Sequence, residues 1–408
     1  MGKKGTIVAI NLGNYGSTGT IMGELLSSAK ESGFEVYSAY PETVFNKPKE
    51  ENDIIICSGF FNRLNRGLGS YTGYIGCFSF FHTILFLRKL SRIKPDVIHL
   101  HNIHSSYINH SMLFKYIKKH NIPVVWTLHD CWSFTGQCAY FDFAGCEKWK
   151  TGCGNCEHID NYPRALVDRT KTMFRLKKKW FSGVENMTLV TPSQWLADLT
   201  KESFLKEYPL KVINNGINLS VFKPIKGDFR KKYNLEGKFI LLGVAFGWGV
   251  RKGLDIFVEL SKRINDNFRI VLVGIDENTE KQLPENIIAI RRTQNQSELA
   301  EIYTAADLFV NPTREDNYPT VNMESIACGT PVLTFDTGGS SESLDNSCGC
   351  VVPKDDVDEL FGEIMRIYKE RPYSETDCMQ RAKSFDKNRK NQEYIDLYNN
   401  IIGVINGD

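Results

Sequence analysis

The chain has 408 residues, 50 Lys+Arg against 48 Asp+Glu, and 11 cysteines. At about 150 residues per domain this length gives two to three domains and excludes a single small module. An apolar fraction of 42% excludes global disorder, and a net charge of +2 gives no general attraction to nucleic acid.

Met1–Gly5 is basic, but T-I-V-A-I (6–10) that follows is shorter than the roughly 7–15 apolar residues of a secretory leader. A first buried strand is therefore expected, in a cytoplasmic protein. Next comes N-L-G-N-Y-G-S-T-G-T (11–20), a glycine-rich turn into a helix. It fits neither a Walker A loop nor G-x-G-x-x-G. Its residues Gly16, Ser17 and Thr18 either contact a phosphate or sugar through backbone N–H groups or form a tight turn. D-I-I-I-C (53–57) is the next expected strand.

Tyr74–Leu87 is the longest apolar run and falls short of the roughly 20 residues of a membrane span. It reads as a buried helix. The alternative is a helix that also touches a membrane or a lipid-linked substrate, because Arg63, Arg66, Arg88, Lys89 and Arg92 flank it.

Strands follow at 96–100, 123–127 and 187–191. H-L-H-N-I-H places His99, His101 and His104 around the end of the first of these, where they form a conceivable metal group. His129 and Asp130 follow the second. A His there acts as acid or base, binds a sugar hydroxyl, or is structural. Five cysteines then lie within residues 131–156. Cys138, Cys146, Cys153 and Cys156 have the spacing C-x7-C-x6-C-x2-C. A structural zinc, a disulfide or redox pair, an iron–sulfur cluster and unligated thiols all remain open. The other six cysteines read as small core residues or isolated thiols.

In the second half, strands are expected at 238–244, 268–274, 287–290, 307–311 and 331–335, and helices over 254–264 and 297–306. Such continuous apolar strands belong to parallel sheets covered on both faces, and their alternation with helices gives doubly wound domains. Two such domains suggest a ligand in the cleft between them. Arg251 and Lys252 precede a helix and suit a departing diphosphate. In N-P-T-R-E-D-N-Y-P-T-V-N-M-E-S-I-A-C-G-T-P-V (311–332), Thr320 and Val321 offer helix-start amides to phosphate. Glu324 lies one turn on, where it can accept ribose hydroxyls. Tyr394, Leu397, Tyr398 and Ile401 have helical spacing and should pack on a domain.

The last of these stretches resembles the donor-site signature of the family-four retaining glycosyltransferases of GT-B fold. Glu324, Gly329, Pro331 and Val332 match E-x7-E followed by A-x-x-x-G-x-P-V, with Asp316 or its neighbour Glu315 in place of the first glutamate. Lys252-Gly253 resembles the K-G phosphate motif. The usual arginine before it falls on Gly247, which leaves Arg251 as its substitute. N-N-G-I-N (214–218) with F-x-P (222–224), V-T-P-S-Q-W-L (190–196) and T-L-H-D (127–130) resemble further family motifs. The run from H-L-H-N-I-H to W-S-F-T-G-Q-C is similar to a subgroup that builds colanic-acid-type exopolysaccharides, capsules and O-antigens.

The resemblance implies two Rossmann-like domains facing each other across a cleft. Residues 1–208 would form an acceptor-side domain with a Cys-rich insertion at 131–158, residues 209–385 a nucleotide-sugar domain, and residues 386–408 a terminal helix. It implies retaining, metal-independent sugar transfer from a UDP- or GDP-linked donor to a saccharide, lipid-linked acceptor. No nucleic acid is implied, and the only membrane contact would be peripheral, at the inner membrane. His129, Arg251, Lys252, Asp316 and Glu324 would be catalytic. The donor would be held by Gly16, Ser17, Thr18, Thr320, Val321 and Glu324; Arg292 is placed near the base by its position after strand 287–290 alone. A GT-B-like epimerase and a non-catalytic carbohydrate- or nucleotide-binding protein are the competing readings.

Overall fold

Runs such as T-I-V-A-I bury every side chain, and only the middle of a two-faced sheet allows that. The structure, a computed structural model, describes residues 4–46, 48 and 50–406. The described chain divides into two units, residues 1–214 with 390–408, and residues 215–389.

The first unit runs β1 (Thr6–Ile10), α1 (Gly16–Glu31), β2 (Glu35–Tyr40), β3 (Asp53–Ile55), α2 (Gly59–Thr72), α3 (Phe80–Ile93), β4 (Val97–Leu100), α4 (His110–His120), β5 (Val124–Thr127), α5 (Thr170–Phe181), β6 (Met187–Thr191), α6 (Gln194–Glu202) and β7 (Leu210–Val212). Its seven strands lie in the order β3-β2-β1-β4-β5-β6-β7, all parallel. The second unit runs α7 (Phe229–Lys232), β8 (Phe239–Val244), α8 (Leu254–Arg263), β9 (Phe268–Val273), α9 (Glu277–Glu280), β10 (Ile287–Ile290), α10 (Gln296–Ala305), β11 (Leu308–Asn311), α11 (Thr320–Ala327), β12 (Val332–Phe335), β13 (Gly349–Val352), α12 (Val357–Glu370) and α13 (Glu375–Ala382). Its six parallel strands follow the order β10-β9-β8-β11-β12-β13.

In both sheets the strand order reverses between two central strands, β1 and β4 in the first and β8 and β11 in the second. The reversal opens a crevice beyond their carboxyl ends, where doubly wound sheets bind ligands. The loops after these strands are the ones singled out in the sequence: 11–15 and 101–109 in the first unit, 245–253 and 312–319 in the second.

The last helix, α14 (Lys387–Asn406), packs on the first unit. Tyr394, Ile395, Leu397, Tyr398 and Ile402 join β1 and α1 in one buried cluster. Residues 407–408 of the expected terminal helix and 1–3 of the first domain lie outside the described residues.

Three expectations change. The expected division at 208/209 precedes β7, yet β7 pairs with β6, so the first unit extends to residue 214. Strands β2, β7 and β13 were not expected, because E-V-Y-S-A-Y is only partly buried and the other two are short edge strands. Tyr74–Leu87 is not one buried helix. Gly73 adopts a left-handed conformation and ends α2, a turn covers the next residues, and α3 starts at Phe80 with Phe80 and Phe81 exposed. Among the described residues no helix is long and apolar enough to cross a membrane.

Candidate active site

In the second unit, the loop after β8 and the loop after β11 are tied together by Arg314, whose side chain is 9% exposed. Its guanidinium takes both Asp255 carboxylate oxygens, at 2.8 and 2.7 Å, and Asp355 at 2.6 Å. It also donates to the carbonyl of Val250. A planar fork suits this two-oxygen contact, and a lysine could not reproduce it. The burden of fixing the 250–252 turn thus falls on Arg314, a residue the motif comparison passed over. Its only sequence signal was a charge beside Glu315 and Asp316.

That turn presents Arg251 and Lys252. The Lys252 ammonium pairs with the Asp316 carboxylate, both groups partly exposed. Arg251 Nη1 donates to the carbonyl of Glu315 at 3.0 Å, and the Arg251 carbonyl accepts the N–H of Arg314 at 2.8 Å. The Glu315 residue itself is buried, 2% exposed. Gly253, next to Lys252, has φ +74, and a Cβ there would lie 2.3 Å from the Pro312 carbonyl. A side chain is excluded on both counts, which is the physical content of the K-G pair.

Pro319 ends the loop, and α11 begins at Thr320 with no side-chain cap. The Thr320 and Val321 amides therefore lie in the uncapped first turn, an anion site by dipole and by donor direction. Glu324 is half-buried and accepts from Tyr303 Oη at 3.2 Å. Burial pushes its carboxyl up to about 7, opposed by the Tyr303 and Thr320 hydrogen bonds. Inside α11, Asn322 is fully buried. Its Oδ1 accepts from Asn311 at 2.8 Å, and its Nδ2 donates to the Ser340 carbonyl at 3.0 Å. These bonds fix the helix relative to β11 and the loop after β12. The sequence reading missed Asn322, Tyr303 and Arg314, because tertiary partners rather than motif position define them. Arg292 is exposed in the loop after β10, and none of its described contacts joins it to Lys252, Asp316 or Glu324.

In the first unit, α1 begins at Gly16 with no side-chain cap and no acidic residue in its first turn. Gly16 and Ser17 are exposed and Thr18 is half-buried. Asn11 holds this loop, donating to the Gly13 carbonyl at 2.8 Å and accepting the Asn102 N–H at 3.1 Å. His129 is half-buried and lines a small cavity with His101, His104, Asp130 and Trp132. Its Nε2 lies 3.0 Å from His101 Nδ1, with the two rings stacked. Burial lowers the His129 pKa to about 4, with Asp130 pulling it up, so the imidazole is neutral at pH 7. The Asp130 carboxylate accepts the Trp132 N–H at 2.9 Å, and its other oxygen lies 3.2 Å from His104 Nε2. His99 has both ring nitrogens engaged, with Tyr398 Oη at 2.6 Å and Thr127 Oγ1 at 2.8 Å. It is therefore a structural residue joining the sheet to α14.

The turn after Asp130 is held by Lys177, which the sequence reading also missed. Its ammonium is fully buried, 3.6 Å from the centre of the Trp132 ring, and donates to the Trp132 carbonyl.

Cys138, Cys146, Cys153 and Cys156 do gather here, close enough to raise one another's pKa. Burial dominates and carries the Cys138 and Cys153 thiols up to about 12 and about 11. All 11 cysteines are free thiols. Among the described residues no group of three or more His, Cys, Asp or Glu side chains is arranged to hold a metal ion. The zinc expectation on these four cysteines, and the conceivable metal at His99, His101 and His104, thus find no fit. Cys153 Sγ instead accepts the Gly136 N–H at 3.1 Å, and the histidines are spent on Tyr398, Thr127, Tyr162 and one another.

Two family models match the chain, "Glycosyltransferase Family 4" over residues 18–221 and "Glycosyl transferases group 1" over residues 238–370. The chain is 28% identical over 319 residues to the protein named "Putative colanic acid biosynthesis glycosyl transferase WcaC" of Escherichia coli (strain K12), covering 75% of this chain and 77% of that one. It is 30% identical over 221 residues to the N,N'-diacetylbacillosaminyl-diphospho-undecaprenol alpha-1,3-N-acetylgalactosaminyltransferase of Campylobacter jejuni, covering 50% of this chain and 58% of that one. Its fold matches Anabaena Alr3699/HepE, crystallised with UDP-glucose, with a TM-score of 0.64 and 13% identity over 99% of this chain and all of the other. With the family match spanning the first unit, the group 1 match the second, and two parallel sheets of GT-B type beneath them, the chain belongs to glycosyltransferase family 4.

Proposed function

We propose that this glycosyltransferase moves a sugar from a nucleoside-diphosphate sugar, UDP- or GDP-linked, to a saccharide acceptor carried on a lipid. The transfer would serve a surface polysaccharide such as an exopolysaccharide, capsule or O-antigen, on the cytoplasmic side of the membrane. The carrying observation is the Lys252–Asp316 pair joined through one loop to the uncapped start of α11, with Glu324 a turn further on. The names of the Escherichia coli and Campylobacter relatives support the pathway and the lipid-linked acceptor, and the UDP-glucose complex supports the donor class.

In this reading Lys252, Arg251 and the Thr320 and Val321 amides stabilise the diphosphate as it leaves, an electrostatic task that needs no metal ion. Glu324 accepts the ribose hydroxyls. Asp316, and not buried Glu315, takes the place of the first family glutamate, holding Lys252 in position beside the donor sugar. Neutral His129 offers a ring nitrogen to a sugar hydroxyl in the first unit's crevice. Configuration is retained by attack on the face the diphosphate leaves. The C1–O bond to phosphate breaks, the acceptor oxygen bonds C1, and its proton passes to the departing phosphate oxygen.

Thermal-shift titration with UDP, GDP and ADP tests the donor site, because a bound ligand raises the melting temperature by mass action. Transfer assays with Lys252→Ala and Glu324→Ala test the assignment. If both variants transfer sugar at the wild-type rate, the site is elsewhere. Nucleotide binding without transfer to any lipid-linked acceptor favours the binding-protein reading.

A further inference from the structure

Helix α2 is amphipathic in reverse. It buries Asn62, Asn65 and Gly69, and it exposes Phe60, Phe61, Leu64, Leu68 and Tyr71. The inward amides are anchored: Asn62 donates to the Glu42 carbonyl at 3.3 Å and Asn65 to the Cys57 sulfur at 3.8 Å. The orientation is thus specified by the fold. Helix α3 adds exposed Phe80, Phe81, Ile84 and Leu85, and the Phe61 and His82 rings, 5.0 Å apart, join the two helices. Phe60 is 73% exposed and Phe81 75%. Clustered apolar groups on a water-facing surface are costly and mark an interaction site.

Charge identifies the partner. From Ile54 to Pro95 the sequence holds no Asp or Glu, yet it carries Arg63, Arg66, Arg88, Lys89, Arg92 and Lys94. The rest of the chain is therefore net negative. All six cations are exposed. Arg88, Lys89 and Arg92 line a groove with Leu85 and Ile93, in which Glu35 is the one carboxylate, accepting from Tyr37 Oη at 2.8 Å. A second copy meeting this face through its own would bring cations against cations, which opposes self-association. An anionic bilayer answers both features, taking aromatic and aliphatic side chains at its interface and Arg and Lys at its phosphates.

We propose that the exposed face of α2 and α3 docks the protein on an anionic phospholipid bilayer. The test is flotation of the 408-residue chain with vesicles of equal parts phosphatidylethanolamine and phosphatidylglycerol, against pure phosphatidylcholine vesicles. The wild type should bind the anionic vesicles and release as salt rises. Arg88→Gln with Arg92→Gln should weaken partitioning roughly fivefold per residue. Phe60→Ser with Phe81→Ser should weaken it by about tenfold or more. These positions are exposed, so circular dichroism and the nucleotide-induced thermal shift should match the wild type in both variants. The readout needs neither donor nor transfer, so it stands or falls apart from the catalytic reading. Four results would overturn the proposal: no binding to anionic vesicles, equal binding to phosphatidylcholine, wild-type binding by both variants, or a dimer abolished by the Phe variant with no vesicle binding.

Discussion

The two units share a sheet plan and a switch point but carry opposite chemistry beyond their central strands. In the second unit the loops after β8 and β11 are laced by charges, with Arg314 on Asp255 and Asp355, and Lys252 on Asp316. In the first, the loops after β4 and β5 carry rings, His101 on His129 and His104 beside Asp130 and Tyr162, while His99 within β4 bonds Tyr398. Burial keeps His99 and His129 neutral. One topology thus supplies a charged cradle, which the proposed function assigns to a diphosphate, and a neutral, hydrogen-bonding wall, which it assigns to a sugar. The crevice is set by strand order, and the ligand by the few side chains that follow the strands.

That contrast can be broken experimentally. The largest effect is expected from Lys252→Ala, which removes the cation proposed to meet the leaving diphosphate and should lower kcat/KM about 10²- to 10³-fold, with weaker nucleotide binding. Steady-state kinetics with a radiolabelled donor checks it. Arg314→Ala leaves Asp255 and Asp355 without their shared partner and should cost about 3 kcal/mol in denaturant unfolding. If stability were unchanged, the charged lacing would be ornament.

In the first unit, His129→Ala should lower kcat about 10²-fold while leaving nucleotide affinity untouched, because no charge is lost. A matching loss of nucleotide affinity would erase the distinction between the two crevices.

Glu324→Gln sharpens the comparison through pH. The wild-type carboxyl titrates near 7 in the folded chain, above its ordinary 4.5. The folded state therefore holds the proton more tightly, and wild-type stability falls as pH rises from about 4.5 to 7, then levels off. The loss is about 3 kcal/mol. The amide variant should show no such fall, measured as melting temperature against pH. The smallest effect is expected from Tyr398→Phe. It removes the bond to His99 and should cost about 1 kcal/mol of stability with transfer rate retained.

The local geometry of the residues proposed to hold the donor was legible in advance. Lys252-Gly253, Thr320, Val321 and Glu324 sit where short local rules put them, at a glycine-terminated turn and a proline-started helix. Arg314 and Asn322 were not legible, since their roles consist of partners 59 and 18 residues away in sequence. His99 and His129 looked alike as post-strand histidines. Only the fold separates them, giving one two buried hydroxyl partners and the other a half-open ring.

The cysteine cluster shows the opposite limit. Spacing brought four thiols to one place, but spacing could not set the sulfur geometry that a metal requires.

The amino-acid sequence by itself determined the parallel α/β class, the two-unit plan and the glycine-bounded turns, because hydrophobic runs, glycines and helix starts act over a few residues. Tertiary structure decided which unit α14 joins, which acid holds Lys252, and that α2 turns its asparagines in and its phenylalanines out. Those outcomes depend on contacts between segments distant along the chain, and no local pattern encodes them. The opening balance of +2 likewise concealed a segregation that matters only once Ile54–Pro95 is folded onto one surface.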